Sequence, residues 1–232
     1  MNPPESSTNR EAECLPRRVR IVFRKGEAVK YASNLDLLRA WERSLRRARL
    51  PLAYTQGFNP HPRITIAMPL AVGCVGEQEV LDVLLDVGRD KDPSLAERVR
   101  AALEPVMPPG LSVVSTLEVP RRDPALATLF SHAVYQIALA GIEQAEIEAR
   151  VTELMDKSEV PVHFRRKTYD LRPLIGSLAL APAQGTQAVI LEATLLRDER
   201  GRTGRPDVLI QALDLEPYVR QMVRQQLVFQ VS

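Results

Sequence analysis

The densest run of chemically capable side chains in the 232-residue sequence is Tyr54-Thr55-Gln56-Gly57-Phe58-Asn59-Pro60-His61-Pro62-Arg63. His61 stands between two prolines, and Gly57 and Asn59 tolerate left-handed backbone, so the loop is stiff and its polar groups are pre-positioned. An imidazole titrates near neutrality, which makes His61 the candidate general acid or base. Arg63 is suited to neutralising a phosphate. The plainer alternative is a proline-ordered connection with an exposed histidine.

Two further groups of side chains suggest anion binding. Arg39, Arg43 and Arg46 recur at i, i+4 and i+7, one stripe on a helix. Arg165, Arg166, Lys167 and Arg172 form a second basic cluster, in which Asp170 either pairs with a neighbouring arginine or leaves the cations to a ligand. His163, beside Phe164 on an expected strand, reads as a structural histidine. Gly73 and Gly76 lack a following Lys-Ser/Thr, so they do not make a phosphate-binding loop. Cys14 and Cys74 are the two cysteines. They cannot build a disulfide framework, an iron–sulfur ligand set or a zinc site of ordinary spacing. No metal and no cofactor are therefore expected on this chain.

Charge separates along the chain. Lys+Arg is 31 and Asp+Glu is 29, a net of +2 that excludes a polycation. Yet residues 17–63 hold twelve cations against Glu27, Asp36 and Glu42, a local +9, leaving −7 elsewhere. Such polarity suits a polyanion, RNA or an acidic protein surface. Of the cations, 26 are Arg, which a GC-rich genome also explains. Tyr31, Tyr54 and Phe58 are candidates for stacking on bases, while Trp41 belongs to an apolar stripe. No apolar run reaches the length of a membrane span, and residues 1–16 are polar and carry no leader-like apolar stretch;. A cytoplasmic protein with a disordered lead is expected.

The elements that must position these groups follow from periodicity. Val19, Ile21 and Phe23 alternate as a strand that could resume through Val29 and Tyr31. A helix over 34–49 is capped by Ser33 or Asn34, and a strand runs over 80–87. A helix begins near Asp92-Pro93, and a strand starts at Leu111. The order strand–helix–strand–strand–helix–strand is the ferredoxin-like pattern. Strands at 133–140, 162–169, 187–196 and 225–231, with helices at 143–157 and from Pro206, repeat it. The expected fold is α+β: two tandem ferredoxin-like (βαββαβ) domains with antiparallel sheets, at 17–119 and 131–232, joined by a linker at 120–130. One larger continuous antiparallel sheet is the alternative.

Three first-half segments, Tyr31 to Asp36, Pro51 to Arg63 and Pro69 to Gly73, resemble the bacterial radical-SAM-linked protein family. So do Arg166 to Pro173 and Arg205 to Leu209. That family is a domain of unknown function, found alone or at the C-terminus of radical S-adenosylmethionine proteins. The resemblance spans roughly 17–230. It implies a partner carrying the iron–sulfur cluster that this chain lacks, and it mildly favours RNA as a ligand. It supplies no catalytic residue. The expected function is an accessory role, more consistent with a non-enzyme. It would bind RNA through Arg39, Arg43, Arg46, Arg63, Arg165, Lys167 and Arg172 beside a radical S-adenosylmethionine partner. The alternatives are a metal-independent RNA endonuclease using His61, and a protein-docking scaffold without RNA.

Overall fold

The computed structural model describes residues 15–90, 92–164, 166–182 and 189–230. Cys14 and Arg165 lie outside the described residues.

Alternation builds β1 (Arg17–Lys25), where Val19, Ile21 and Phe23 are fully buried and Arg20, between them, pairs with Asp82. A 3-10 turn over Glu27–Val29 ends that strand rather than prolonging it. Ser33 then caps α1 (Asn34–Arg47), its hydroxyl oxygen accepting the Asp36 amide at 3.2 Å;. Leu37, Trp41 and Leu45 form the buried stripe of α1, and Trp41 meets Phe23 edge-on at 4.9 Å;. β2 (Ile64–Ile66), β3 (Cys74–Leu85), α2 (Leu95–Leu103) and β4 (Leu111–Val119) follow. These strands pair antiparallel in the spatial order β4-β1-β3-β2.

Residues 120–130 include a short helix, α3 (Leu126–Leu129), which leads into β5 (Phe130–Leu139) and α4 (Gln144–Asp156). A separate hairpin comes next, β6 (Pro161–Phe164) and β7 (Lys167–Asp170), in place of the single strand expected over 162–169. The chain reverses there, with the Arg166 amide donating to the Phe164 carbonyl at 3.2 Å. β8 (Ile175–Pro182), β9 (Val189–Leu196), α5 (Pro206–Ala212) and β10 (Val219–Phe229) complete the chain. Their spatial order is β10-β5-β9-β8, again antiparallel.

The molecule is thus a mixed α+β structure with five helices and one large, mostly antiparallel sheet of eight strands among the described residues. Two separate sheets were the expectation. The difference comes from β3, which has 12 residues against 3 in β2. β2 covers only Leu81 to Val83, so the edge at Cys74 to Gly76 stays open, and β10 pairs with it in parallel. Pairing removes a bare edge that would otherwise invite association.

One apolar cluster packs α1 and α2 on β1 and β3. A second gathers α4, α5, β5 and β9 and draws in Ala67, Leu70, Cys74 and Val80 from the first half. Between them sits a buried ion pair: Arg224 is 3% and Glu79 1% exposed. Arg224 Nε donates to Glu79 Oε1 at 2.8 Å, and Nη2 donates to the second carboxylate oxygen and to the Met68 carbonyl at 2.7 Å. Gly76 makes room for this pair, since a Cβ there would lie 2.5 Å from the Glu79 side chain.

Candidate functional site

Folding consumes half of the cations in 17–63. Arg17 donates to Glu118 at 2.7 Å, Arg20 to Asp82 at 2.9 Å, and Arg18 to the carbonyls of Arg121 and Asp123 at 2.8 Å. Arg24 pairs with Glu77 at 2.8 Å and Lys30 with Glu27 at 2.7 Å. Lys25 is buried, donating to the Lys30 carbonyl at 3.0 Å, and burial pulls its ammonium below the usual range;. The rest are Arg39, Arg43, Arg46, Arg47, Arg49 and Arg63, all exposed. Among the described residues only Arg39 faces a carboxylate, Asp36 at 3.9 Å. Arg46 and Arg47 occupy the last turn of α1, where cations favour the helix dipole;.

The 54–63 loop is a tied-back hairpin. Tyr54 bridges Pro62, the Thr55 amide donates to the His61 carbonyl at 2.9 Å, and the His61 amide donates to Thr55 Oγ1 at 3.0 Å. Gly57 takes φ 129°, which the turn requires;. Gln56, Phe58 and Asn59 project outward, and Phe58 is fully exposed. The His61 ring is exposed and receives no hydrogen bond from a side chain among the described residues. The His61 backbone is therefore pinned while its imidazole is not oriented. Arg63, exposed, lines a 220 Å³ depression with Arg18, Thr65 and Asp82.

A roomier arrangement arises on the β6–β7 hairpin. Its register pairs Phe164 with Lys167 and Val162 with Tyr169, which puts these four on one face;. His163 and Thr168 share the other face, their side chains 3.2 Å apart. Over the first face lie two guanidinium planes, Arg205 at 4.5 Å from the Phe164 ring centre and Arg202 at 5.7 Å from that of Tyr169;. Asp207 holds Arg205 through two bonds of 2.9 and 3.0 Å, and Asp198 holds Arg202 at 2.6 Å. Burial pushes the Asp198 carboxyl up, but the bonds from Arg202 more than offset this and leave it lowered. Burial raises the Tyr169 phenol. The pocket so formed is about 600 Å³ and is completed by Arg166 and Lys167, both exposed.

The expected basic cluster therefore divides. Lys167 joins the pocket, whereas Arg172 is half-buried and donates to the Met155 carbonyl at 3.3 Å. Asp170 pairs with no arginine side chain among the described residues; it accepts the Val160 and Arg172 amides at 2.7 and 3.0 Å. Phe164, Tyr169 and Arg202 were not singled out by residue type and spacing. The signal that reveals Phe164 and Tyr169 is period-two alternation on both sides of a chain reversal; no local pattern reports Arg202, which lies outside the hairpin.

Adjoining the pocket through Thr203 and Arg205 is a 30 Å³ cavity bounded by Met68, Tyr135 and Arg224. Burial raises the Tyr135 phenol and pushes the Cys74 thiol up to about 11. Burial also works against the Arg224 charge, but Glu79 restores it and holds the guanidinium protonated. No cluster of three or more His, Cys, Asp or Glu that could hold a metal ion occurs among the described residues. No helix among them is long and apolar enough to cross a membrane.

These features define an α+β protein with exposed arginines along and just after α1, a further exposed arginine at Arg63, and an aromatic pocket roofed by arginines. Residues 18–206 match the family described as "uncharacterized protein conserved in bacteria (DUF2344)", and the chain belongs to that family. Its description assigns no activity. No curated protein matches the chain.

Proposed function

We propose that this chain is a cytoplasmic accessory protein that binds RNA through its arginine-rich face and works beside a radical S-adenosylmethionine partner. The observation that carries the RNA reading is the six exposed arginines Arg39, Arg43, Arg46, Arg47, Arg49 and Arg63, of which only Arg39 has a carboxylate within 4 Å among the described residues. Cations that ion pairs do not consume are available to phosphates. A catalytic base is normally oriented by a second group. His61 has no such side-chain partner among the described residues, so binding is a better reading than cleavage. The partnership rests on the family resemblance of Tyr31 to Asp36 and Pro51 to Arg63. The two strand orders also support a finer fold reading, in which two ferredoxin-like units are fused along one sheet.

The test is binding of single-stranded RNA across a salt series. A slope of roughly −0.7 per phosphate contact is expected, so Arg39→Glu, Arg43→Glu and Arg46→Glu together should flatten it by about 2. A flat response in the parent protein overturns RNA binding. Retention of a radical S-adenosylmethionine protein through nuclease treatment tests the partnership separately, and its loss leaves only the RNA reading.

A further inference from the structure

We infer that the pocket between the β6–β7 hairpin and the Arg202–Arg205 segment is a site for one nucleoside monophosphate unit, its base stacked on the Arg202 and Arg205 guanidiniums that cover Tyr169 and Phe164, and its phosphate held by Arg166 and Lys167. This deepens the RNA reading by naming the element of a strand that the protein would hold, although a free nucleotide carries the same chemistry.

Phe164 and Tyr169 lie on one face of a hairpin because the register puts them there. Both are half-buried and pack on the second apolar cluster, so their rings are held rather than loose. Arg205 and Arg202 lie over these rings, which support them, so the flat surface offered to a ligand is the outer side of each guanidinium. Their charges are already neutralised, Arg205 by Asp207 and Arg202 by Asp198. A guanidinium tied to a carboxylate on one side still offers its plane, so these two serve a flat apolar ligand better than a bare anion. Aromatic and guanidinium planes of this kind are what unpaired bases stack upon.

The rim supplies what the walls lack. Arg166 and Lys167 sit at the turn of the hairpin, both exposed, and neither pairs with a carboxylate among the described residues. A ligand suited to the whole pocket needs a planar body and a negative charge at its edge. The volume of about 600 Å³ lies in the range of small-molecule sites, larger than a base alone requires;. A fully paired duplex shields its base faces by stacking, so the pocket selects an unpaired nucleotide.

The probes are adenosine 5′-monophosphate, adenosine, a short single-stranded oligoadenylate and a blunt RNA duplex of equal length, each titrated into the full chain by calorimetry. Phe164→Leu and Tyr169→Leu should each weaken the oligoadenylate about tenfold, roughly 1.4 kcal/mol, and leave the duplex within about twofold. Arg166→Glu with Lys167→Glu, at exposed positions that cannot disturb the core, should weaken adenosine 5′-monophosphate several-fold and leave adenosine unchanged. If the folded leucine variants bind the single strand as the parent does, the pocket assignment falls, and a steep salt slope would keep the RNA reading standing. The phosphate half of the assignment falls if the double charge reversal leaves adenosine 5′-monophosphate binding intact. Pocket-dependent binding of adenosine 5′-monophosphate without any binding of RNA assigns the site to a free nucleotide and removes the RNA reading. Binding of none of the four probes removes both.

Discussion

The arginines of α1 and those above the β6–β7 hairpin carry the same group under opposite constraints. On α1, Arg43, Arg46 and Arg47 stand on a helix whose other face is core, with nothing flat beside them to define an orientation. Above the hairpin, Arg202 and Arg205 are each fixed by an aspartate and laid against a ring. Unpaired charges of the first kind act on an anion without regard to its shape and are screened by salt. The second has given up its net charge for geometry. Counting basic residues finds the first and misses the second, because the second is defined by what its arginines touch.

The largest expected effect tests whether the two regions depend on a common support. Arg224→Leu leaves the Glu79 carboxylate buried and unpaired at 1% exposure. Breaking such a pair costs about 3–5 kcal/mol, to be read from urea unfolding, and binding at both proposed surfaces should weaken as the seam loosens. A loss under about 1 kcal/mol would show that the regions stand independently. Gly76→Ala is the next, since its Cβ would meet Glu79 at 2.5 Å. It should cost about 1–3 kcal/mol, and a neutral outcome would mean the seam can repack.

Acid titration separates the halves by a different route. The Arg17 hydrogen bond holds the Glu118 carboxyl below its ordinary value and clamps β1 to β4. A carboxyl depressed in the folded state contributes stability above its unfolded value of about 4.3 and loses it as pH falls through the lower folded value. Glu118→Gln should therefore flatten the acid limb of stability against pH, with no change near neutrality in the pH dependence. The smallest effect belongs to Phe58→Ser, which removes a fully exposed ring from the loop tip. Stability should stay within about 0.5 kcal/mol, and a larger loss would mean that the ring packs against something.

What is legible in the sequence is what depends on near neighbours. The ends of α1 follow from Ser33 and Pro51, and its buried stripe from the spacing of Leu37, Trp41 and Leu45. The stiffness of the 54–63 loop follows from its prolines. β8 is not legible, because Gly176, Ser177 and Ala179 dilute its strand signal and its first residues are irregularly paired;. The reversal between Phe164 and Lys167 carries no Gly, Pro, Asn or Asp to mark it, so two short strands read as one;. Cys74 to Gly76 look like loop because their strand partner, Met222 to Arg224, is remote in sequence and no local pattern reports it. The pocket was hidden for the same two reasons: a hairpin without turn residues, and arginines whose partners lie outside it.

The parallel pairing of β3 with β10 has a kinetic consequence. Glu79 and Arg224 are 145 positions apart, so their contact closes one of the longest loops in the chain. β1, β3 and β4 can zip together from contacts within the first half alone, leaving Cys74 to Gly76 as an open edge. The edge is sealed only when β10, the last strand, arrives carrying the cation that Glu79 awaits. Long-range closure of this kind is slow relative to local pairing. The first half thus folds with a temporary adhesive strip, and the interval before β10 docks is when the chain is most exposed to misassociation.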